Sequence, residues 1–269
     1  MSRTEPLSRE LTAFADALLD ARLTHRPIAL PADFAQRCSL AQGRAIGERN
    51  ASLLAGRLGG GLAGVKLGAT NPEALRKLGL AEPFDGAMLA ARIFTSPAAL
   101  PIDEFIVCIV EAELGVRFGA DIGGTAQRPS REALADAIEA IFPVIELAET
   151  RLIDWPSAPP AAIFADMAYF GALVTGEPLQ DWKGLDLAAA SVRLTVDGQE
   201  IRSGTGAAVM GNPLDALADY IARIGARGQA LRAGSIVSTG TWTQPYVASR
   251  GERLSAEFGP IGQVAVALR

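Results

Sequence analysis

Phe105-Ile106-Val107-Cys108-Ile109-Val110-Glu111-Ala112-Glu113-Leu114 begins apolar on both faces and then sets two acids at alternate positions. Its β-branched residues predict a strand over Phe105 to Val116. Alternation places Glu111 and Glu113 on one face and Val110, Ala112 and Leu114 on the other. Spacing of this kind is the ordinary mark of a strand with one solvated face. The apolar run that precedes the pair argues instead for cover. Adjacent carboxylates cannot stay buried unpaired, and a bound cation is one of the few remedies. Pro143-Val144-Ile145-Glu146-Leu147-Ala148 repeats the oddity, a buried-looking strand with one acid in its middle. Three carboxylates without an imidazole describe a hard-cation site, so Mg2+ or Mn2+ is expected rather than zinc.

Upstream, Gly59-Gly60-Gly61-Leu62-Ala63-Gly64 formally matches GxGxxG. A dinucleotide site needs a strand before that motif and a helix opening within it. Here a helical pattern precedes it and Val65-Lys66-Leu67-Gly68 follows like a strand, so the glycines read as a junction. Lys66 has apolar neighbours. Its bland reading is a surface lysine whose stem lies on apolar ground. The sharper one is a cation facing the acids, orienting substrate or moving a proton.

Further out, Leu11, Phe14, Ala15, Leu18, Leu19 and Leu23 form a helical stripe over residues 8 to 24, and a second helix fits Leu40 to Leu58 behind Ser39. Arg131 to Phe142 predicts an amphipathic helix ended by Pro143, with a strand resuming over Val144 to Ala148. Pro156 to Ala162 reads as a loop. Asp197-Gly198 between Ser191–Val196 and Gln199–Arg202 spells a hairpin with a type I′ turn. Asn212-Pro213 opens a helix, and Ser235 to Thr239 and Gln263 to Leu268 close the chain as strands. The pattern is α+β: a helical N-terminal segment over 1–62 and a β-rich core over 63–269.

The totals exclude several functions. The 269 residues carry a net charge of −5 without a basic stripe, so nucleic-acid binding has little support. No apolar run reaches membrane-spanning length, and Met1-Ser2-Arg3-Thr4-Glu5-Pro6 lacks the apolar stretch of a signal peptide, which makes the cytoplasm the expected compartment. Cys38 and Cys108 are the only cysteines and are expected to be buried thiols. His25 is the single histidine, in a helix-exit context, so a His-dependent triad or a multi-imidazole zinc site is not expected. Any chemistry falls to carboxylates, lysine, hydroxyls or a metal.

Gly64-Val65-Lys66-Leu67-Gly68-Ala69-Thr70, Val110-Glu111-Ala112-Glu113-Leu114, Val144-Ile145-Glu146-Leu147-Ala148-Glu149-Thr150-Arg151, Ser203-Gly204-Thr205-Gly206-Ala207-Ala208-Val209-Met210-Gly211-Asn212-Pro213 and Leu231-Arg232-Ala233-Gly234-Ser235-Ile236-Val237-Ser238-Thr239-Gly240 come in this order. Together they resemble the 2-keto-4-pentenoate hydratase and 4-oxalocrotonate decarboxylase group of the fumarylacetoacetate hydrolase superfamily. The resemblance implies a distorted β-sandwich or roll core, divalent-metal ligands at Glu111, Glu113 and Glu146, and a functional Lys66. It implies a small 2-keto acid substrate whose carboxylate and 2-oxo oxygens the metal chelates, and water addition or loss of CO2 through a dienolate. Homo-oligomeric assembly, a place in aromatic-hydrocarbon catabolism, and substrate contacts at Arg92, Tyr169, Thr239 and Gly240 follow from it as expectations. The departures are as informative. Ala91 stands where the group has an acid implicated in proton transfer and Arg92 where it has Met, leaving Asp85 as the substitute acid. Met167 and Tyr169 replace polar positions and suggest a bulkier or more apolar substrate. Water addition is the first expectation and decarboxylation the second. C–C hydrolysis of an acylpyruvate suffers from the scarcity of histidine, and a metal-binding partner subunit without the standard activity draws its support from Ala91.

Overall fold

The computed structural model describes residues 6–269. Residues 1–5, which carry most of the leader reading, lie outside it.

Three helices come first, α1 (Arg9–Thr24), α2 (Phe34–Arg37) and α3 (Leu40–Leu58), followed by β1 (Leu62–Gly68), α4 (Pro72–Leu78), β2 (Phe84–Leu89), β3 (Ile93–Thr95) and β4 (Ala98–Leu100). The middle of the chain forms β5 (Ile109–Phe118), β6 (Ile122–Gly123), α5 (Arg131–Ala137), β7 (Ile138–Ala148), α6 (Pro160–Ala165), β8 (Phe170–Thr175), β9 (Ser191–Val196) and β10 (Gln199–Thr205). It ends with α7 (Pro213–Gly225), β11 (Ala230–Leu231), β12 (Ile236–Thr241), β13 (Tyr246–Val247), β14 (Arg253–Glu257) and β15 (Gln263–Leu268). The large sheet runs β2-β1-β12-β5-β7-β8-β3, with β13 pairing off β5, and a smaller one runs β10-β9-β14-β15-β4. Along β5 and β7 the alternation divides the side chains. Val110, Ala112, Leu114, Ile145 and Leu147 join the core shared with the smaller sheet and α7, and this is the core face. Phe142 and Val144 point the other way, toward Leu19 of α1 and Ala51 and Leu54 of α3. That second surface is the site face.

Local chemistry explains most boundaries. Ser8 caps α1, and Ser39 with Gln42 forms a capping box on α3. His25 ends α1 in the left-handed conformation. Gly59, Gly60 and Gly61, all at positive φ, carry the chain from α3 into β1 as a junction. Asp197 and Gly198, both with φ > 0, make the I′ hairpin turn, and Asn212 caps α7 ahead of Pro213. Gly43 and Gly47 let α3 cross α6 closely, since a Cβ would lie 2.2 Å from the Ala161 carbonyl oxygen or 2.1 Å from that of Phe164.

Three expectations need correction. The central strand starts at Ile109, not Phe105, because Ile102–Glu104 makes a 3-10 turn before it. The helix over 131–142 stops at Ala137, and Ile138 already opens β7 with Pro143 in mid-strand. Pro143 is tolerated because its carbonyl accepts from Gly176, just past the last residue of β8. Its missing N–H would point the same way, so the ladder with β5 loses nothing. Finally, the stretch 156–162 is not all loop: Pro160, at a first helical position, opens α6.

Candidate active site

The register of the large sheet assembles the site. Glu111 lies opposite Glu146 on the β5–β7 ladder, and Glu113 lies opposite Val144, so all three acids leave the site face. Their carboxylate oxygens come within 4.8 Å of one another. β1 pairs in parallel with β12, which sets Lys66 beside Ser238, and Ser238 lies opposite Gly115 on β5. Lys66 therefore reaches the acids, with Nζ 3.1 Å from Glu146 Oε1. Lys66, Glu113 and Glu146 are buried and Glu111 is half-buried.

Hydrogen bonding fixes which oxygens stay available. Ser238 Oγ and the Gly240 N–H (2.9 Å) both donate to Glu113 Oε2. Gly240 can present that N–H because its φ of +104° suits glycine, and a Cβ there would lie 1.9 Å from Thr70 Oγ1. Glu113 Oε1 and Glu146 Oε2 are buried without any hydrogen-bond partner. Such orphaned oxygens are costly. Three carboxylates beside one ammonium leave two negative charges, which one divalent cation would balance. Burial pushes all three carboxyls above the ordinary carboxylate range. Glu113 goes well above it, with Glu146 and Glu111 adding to the effect, and Glu146 rises to about 7. Burial works against the Lys66 ammonium, but the three acids more than reverse this and hold its pKa above the usual value. The oxygen-only donor set, its charge and its two partnerless oxygens fit a hard divalent ion such as Mg2+ or Mn2+.

The other expected site residues do not join this group. Asp85 lies opposite Leu67 on the β1–β2 ladder, one step from Lys66, and so faces the other side of the sheet. It forms a two-pronged pair with Arg44 of α3 (3.0 and 2.8 Å) at the wall of a separate cavity of about 440 Å3. Arg92 binds the Gly171 carbonyl and Glu104. Thr239, next to Ser238, turns to the core face and donates to the Leu114 carbonyl at 3.0 Å. Tyr169 sits in a left-handed turn with Met167 and Ala168, edge-on to Trp155. Gly240 lies beside the acids and donates its N–H to Glu113. Ala91 is exposed on a 3-10 turn. Ser238 escaped the sequence reading. β12 carries hydroxyls at Ser238, Thr239 and Thr241, and which of them meets the acids depends on the β1–β12 register.

The family model described as the fumarylacetoacetate (FAA) hydrolase C-terminal domain matches residues 101–269. This chain belongs to the fumarylacetoacetate hydrolase family. Among this family member's relatives, a 2-keto-4-pentenoate hydratase of Paraburkholderia xenovorans (strain LB400) is 29% identical over 208 residues, covering 77% of this chain and 76% of the relative. The TodF product hydratase of Pseudomonas putida (strain F1) is 30% identical over 217 residues, covering 80% and 78%. Among solved structures, a 4-oxalocrotonate decarboxylase from Pseudomonas putida G7, complexed with magnesium and adipate, superposes with a TM-score of 0.88 at 21% identity, covering 98% of this chain and 100% of that one. At that identity the likeness establishes the fold alone.

Proposed function

We propose that this member of the family is a divalent-metal-dependent hydratase that adds water to an unsaturated 2-keto acid presented in its 2-hydroxydienoic form. The observation that carries the reading is the trio Glu111, Glu113 and Glu146, with two buried oxygens lacking partners, beside Lys66. The hydratase relatives support the same reaction class. Glu113 through Oε1 and Glu146 through Oε2 would hold Mg2+ or Mn2+ together with Glu111. When bound, the ion supplies Lewis acidity toward the carboxylate and 2-oxo oxygens of the substrate. The Lys66 ammonium can donate the proton that the extended enol takes up at its far carbon, and the amine left behind can accept the 2-hydroxyl proton released as the ketone forms. Water then supplies only its OH and H across the conjugated double bond. Ser238 and Gly240 keep Glu113 from turning away. Asp85, Arg92, Tyr169 and Thr239 have no step in this scheme. Cytoplasmic location, homo-oligomeric assembly and the division into segments 1–62 and 63–269 belong to the same proposal and rest on the resemblance and the sequence pattern.

The test supplies 2-hydroxypenta-2,4-dienoate and 4-oxalocrotonate with Mg2+ and follows their ultraviolet absorbance. Faster loss of the dienoate, abolished by chelator and by Glu113→Gln, is the expected result. Loss of 4-oxalocrotonate alone would make the chain a decarboxylase. Turnover of neither, with no Mg2+ binding by calorimetry, would overturn the reading.

A further inference from the structure

Met167, Ala168 and Tyr169 follow one another at φ of 53°, 52° and 63°. None is glycine, and the left-handed region strains each of them. Three such residues in a row persist only where the surroundings over-determine them. Ala168 lies at the closest quarters. A Cβ on Gly86 would stand 2.5 Å from the Ala168 Cβ and 2.8 Å from the Met167 carbonyl oxygen. Gly86 pairs with Lys66 across the β1–β2 ladder, so Ala168 covers the site face beside Lys66. It packs with Phe84, whose ring covers Lys66 Nζ at 5.3 Å. With Met167 it also lines the cavity of about 440 Å3 that holds Arg44 and Asp85. One turn thus borders both that cavity and the cover of Lys66.

A buried ion pair stands at the start of the turn. Asp166 Oδ2 accepts from Thr150 Oγ1 (2.9 Å) and from the Arg151 N–H (2.8 Å), and Oδ1 pairs with Arg151 Nε. Arg151 Nη2 donates to the Asp166 carbonyl at 2.9 Å, and the Tyr169 N–H donates to the same oxygen at 3.0 Å. At the other end the Tyr169 carbonyl accepts from the Glu149 N–H at 2.7 Å, and Glu149 is itself paired with Arg151. The stretch Glu149–Arg151 follows directly on β7, which carries Glu146, so both ends of the turn are tied to that strand. Arg151 and Asp166 are almost fully buried. Such a pair is a weak source of stability, since apolar residues of similar volume often do as well. Its bonds to the backbone on either side of the turn are spent on fixing one path.

We infer that Asp166 and Arg151 are positioning residues for Lys66. They hold the strained turn so that Ala168 closes over the β1–β2 ladder, which keeps the ammonium against Glu146 and the water of the neighbouring cavity away from it. A donor held at one distance and shielded from water transfers its proton to one place. The inference rests on the proposed function above, in which Lys66 moves the proton.

Two variants test it, both with Mg2+ present. Ala168→Gly removes the covering methyl and is unstrained at positive φ, so the fold is kept. Asp166→Asn removes the charge that holds Arg151. Acetic anhydride labelling, read by peptide mass spectrometry, compares Lys66 with the exposed Lys77 of α4. Lys66 of the wild type should label far more slowly than Lys77, and both variants should speed it several-fold. On the substrate that the wild type turns over, kcat should fall by roughly a hundredfold, the scale of a group displaced by an ångström. KM, Mg2+ affinity and the thermal midpoint of Ala168→Gly should stay near the wild-type values, which separates lost positioning from lost folding. If Ala168→Gly labels Lys66 as slowly as the wild type, or keeps its kcat, the inference is overturned whatever Asp166→Asn does. Turnover of neither 2-hydroxypenta-2,4-dienoate nor 4-oxalocrotonate by the wild type overturns the hydratase reading instead, and the labelling of Lys66 then decides the inference alone.

Discussion

Ser238 and Gly240 direct both their donors to the same oxygen of Glu113, and this decides how the acid can meet a cation. With Oε2 occupied, only Oε1 is free, so Glu113 is set to bind through one oxygen. Partners that orient a ligand carboxylate in this way typically contribute 10- to 100-fold in metal affinity. Ser238→Ala should therefore weaken Mg2+ binding by about tenfold or more, measured by calorimetry, while urea unfolding of the metal-free protein changes little. Unchanged Mg2+ affinity would show that the Gly240 N–H suffices. Of this arrangement the sequence showed the three acids and Lys66, because a charged residue inside an apolar strand stands out in one dimension. It did not show Ser238, whose side chain is unremarkable until the parallel β1–β12 pairing sets it beside Lys66. Asp85 lies apart from the acids for the converse reason. It is close to Lys66 in the fold, but one step along a ladder reverses the face.

At the scale of elements, the site depends on how the helical segment is seated over the site face. The α3–α6 crossing is close because Gly43 and Gly47 present bare backbone to α6. The atom that a Cβ at position 47 would strike is a backbone oxygen, which cannot rotate away. Gly47→Ala should cost roughly 1–3 kcal/mol, the usual range for overpacking, and thermal unfolding should report it as a lower midpoint. A neutral result would mean that the two helices separate easily. Arg22 of α1 also reaches across, donating to the Phe170 carbonyl at the start of β8. The boundary between α5 and β7 was the element least legible in sequence. Leu134, Ile138 and Ile141 satisfy a helical period, yet Ile138 onward pairs with β5. Pairing along a long neighbouring strand outweighed local periodicity there.

For the molecule as a whole, folding and ion binding should be coupled. A cation bound only by the folded chain stabilises it by about 2.7 kcal/mol at one hundred times its dissociation constant. Mg2+ should therefore raise the thermal midpoint of the wild type, and Glu113→Gln should lose most of the rise. The cysteines give a second readout. Burial pushes Cys38 up to about 11 and Cys108 up to about 12, and both are almost fully buried. Neither thiol should react with a disulfide reagent at pH 8 while the protein is folded. Labelling should follow opening of the fold, and Mg2+ should slow it. Rapid labelling of native protein, or labelling indifferent to Mg2+, would contradict this coupling.

By itself the sequence determined the α+β class, the caps and turns, and the chemical type of the site, since each depends on residues close in the chain or on composition. Only the tertiary structure decided which groups meet. The parallel pairing of β1 with β12 and the antiparallel pairing of β5 with β7 bring together residues from distant parts of the chain. A strand turns successive side chains to opposite faces, so membership of the site rests on register, which no single stretch of sequence contains.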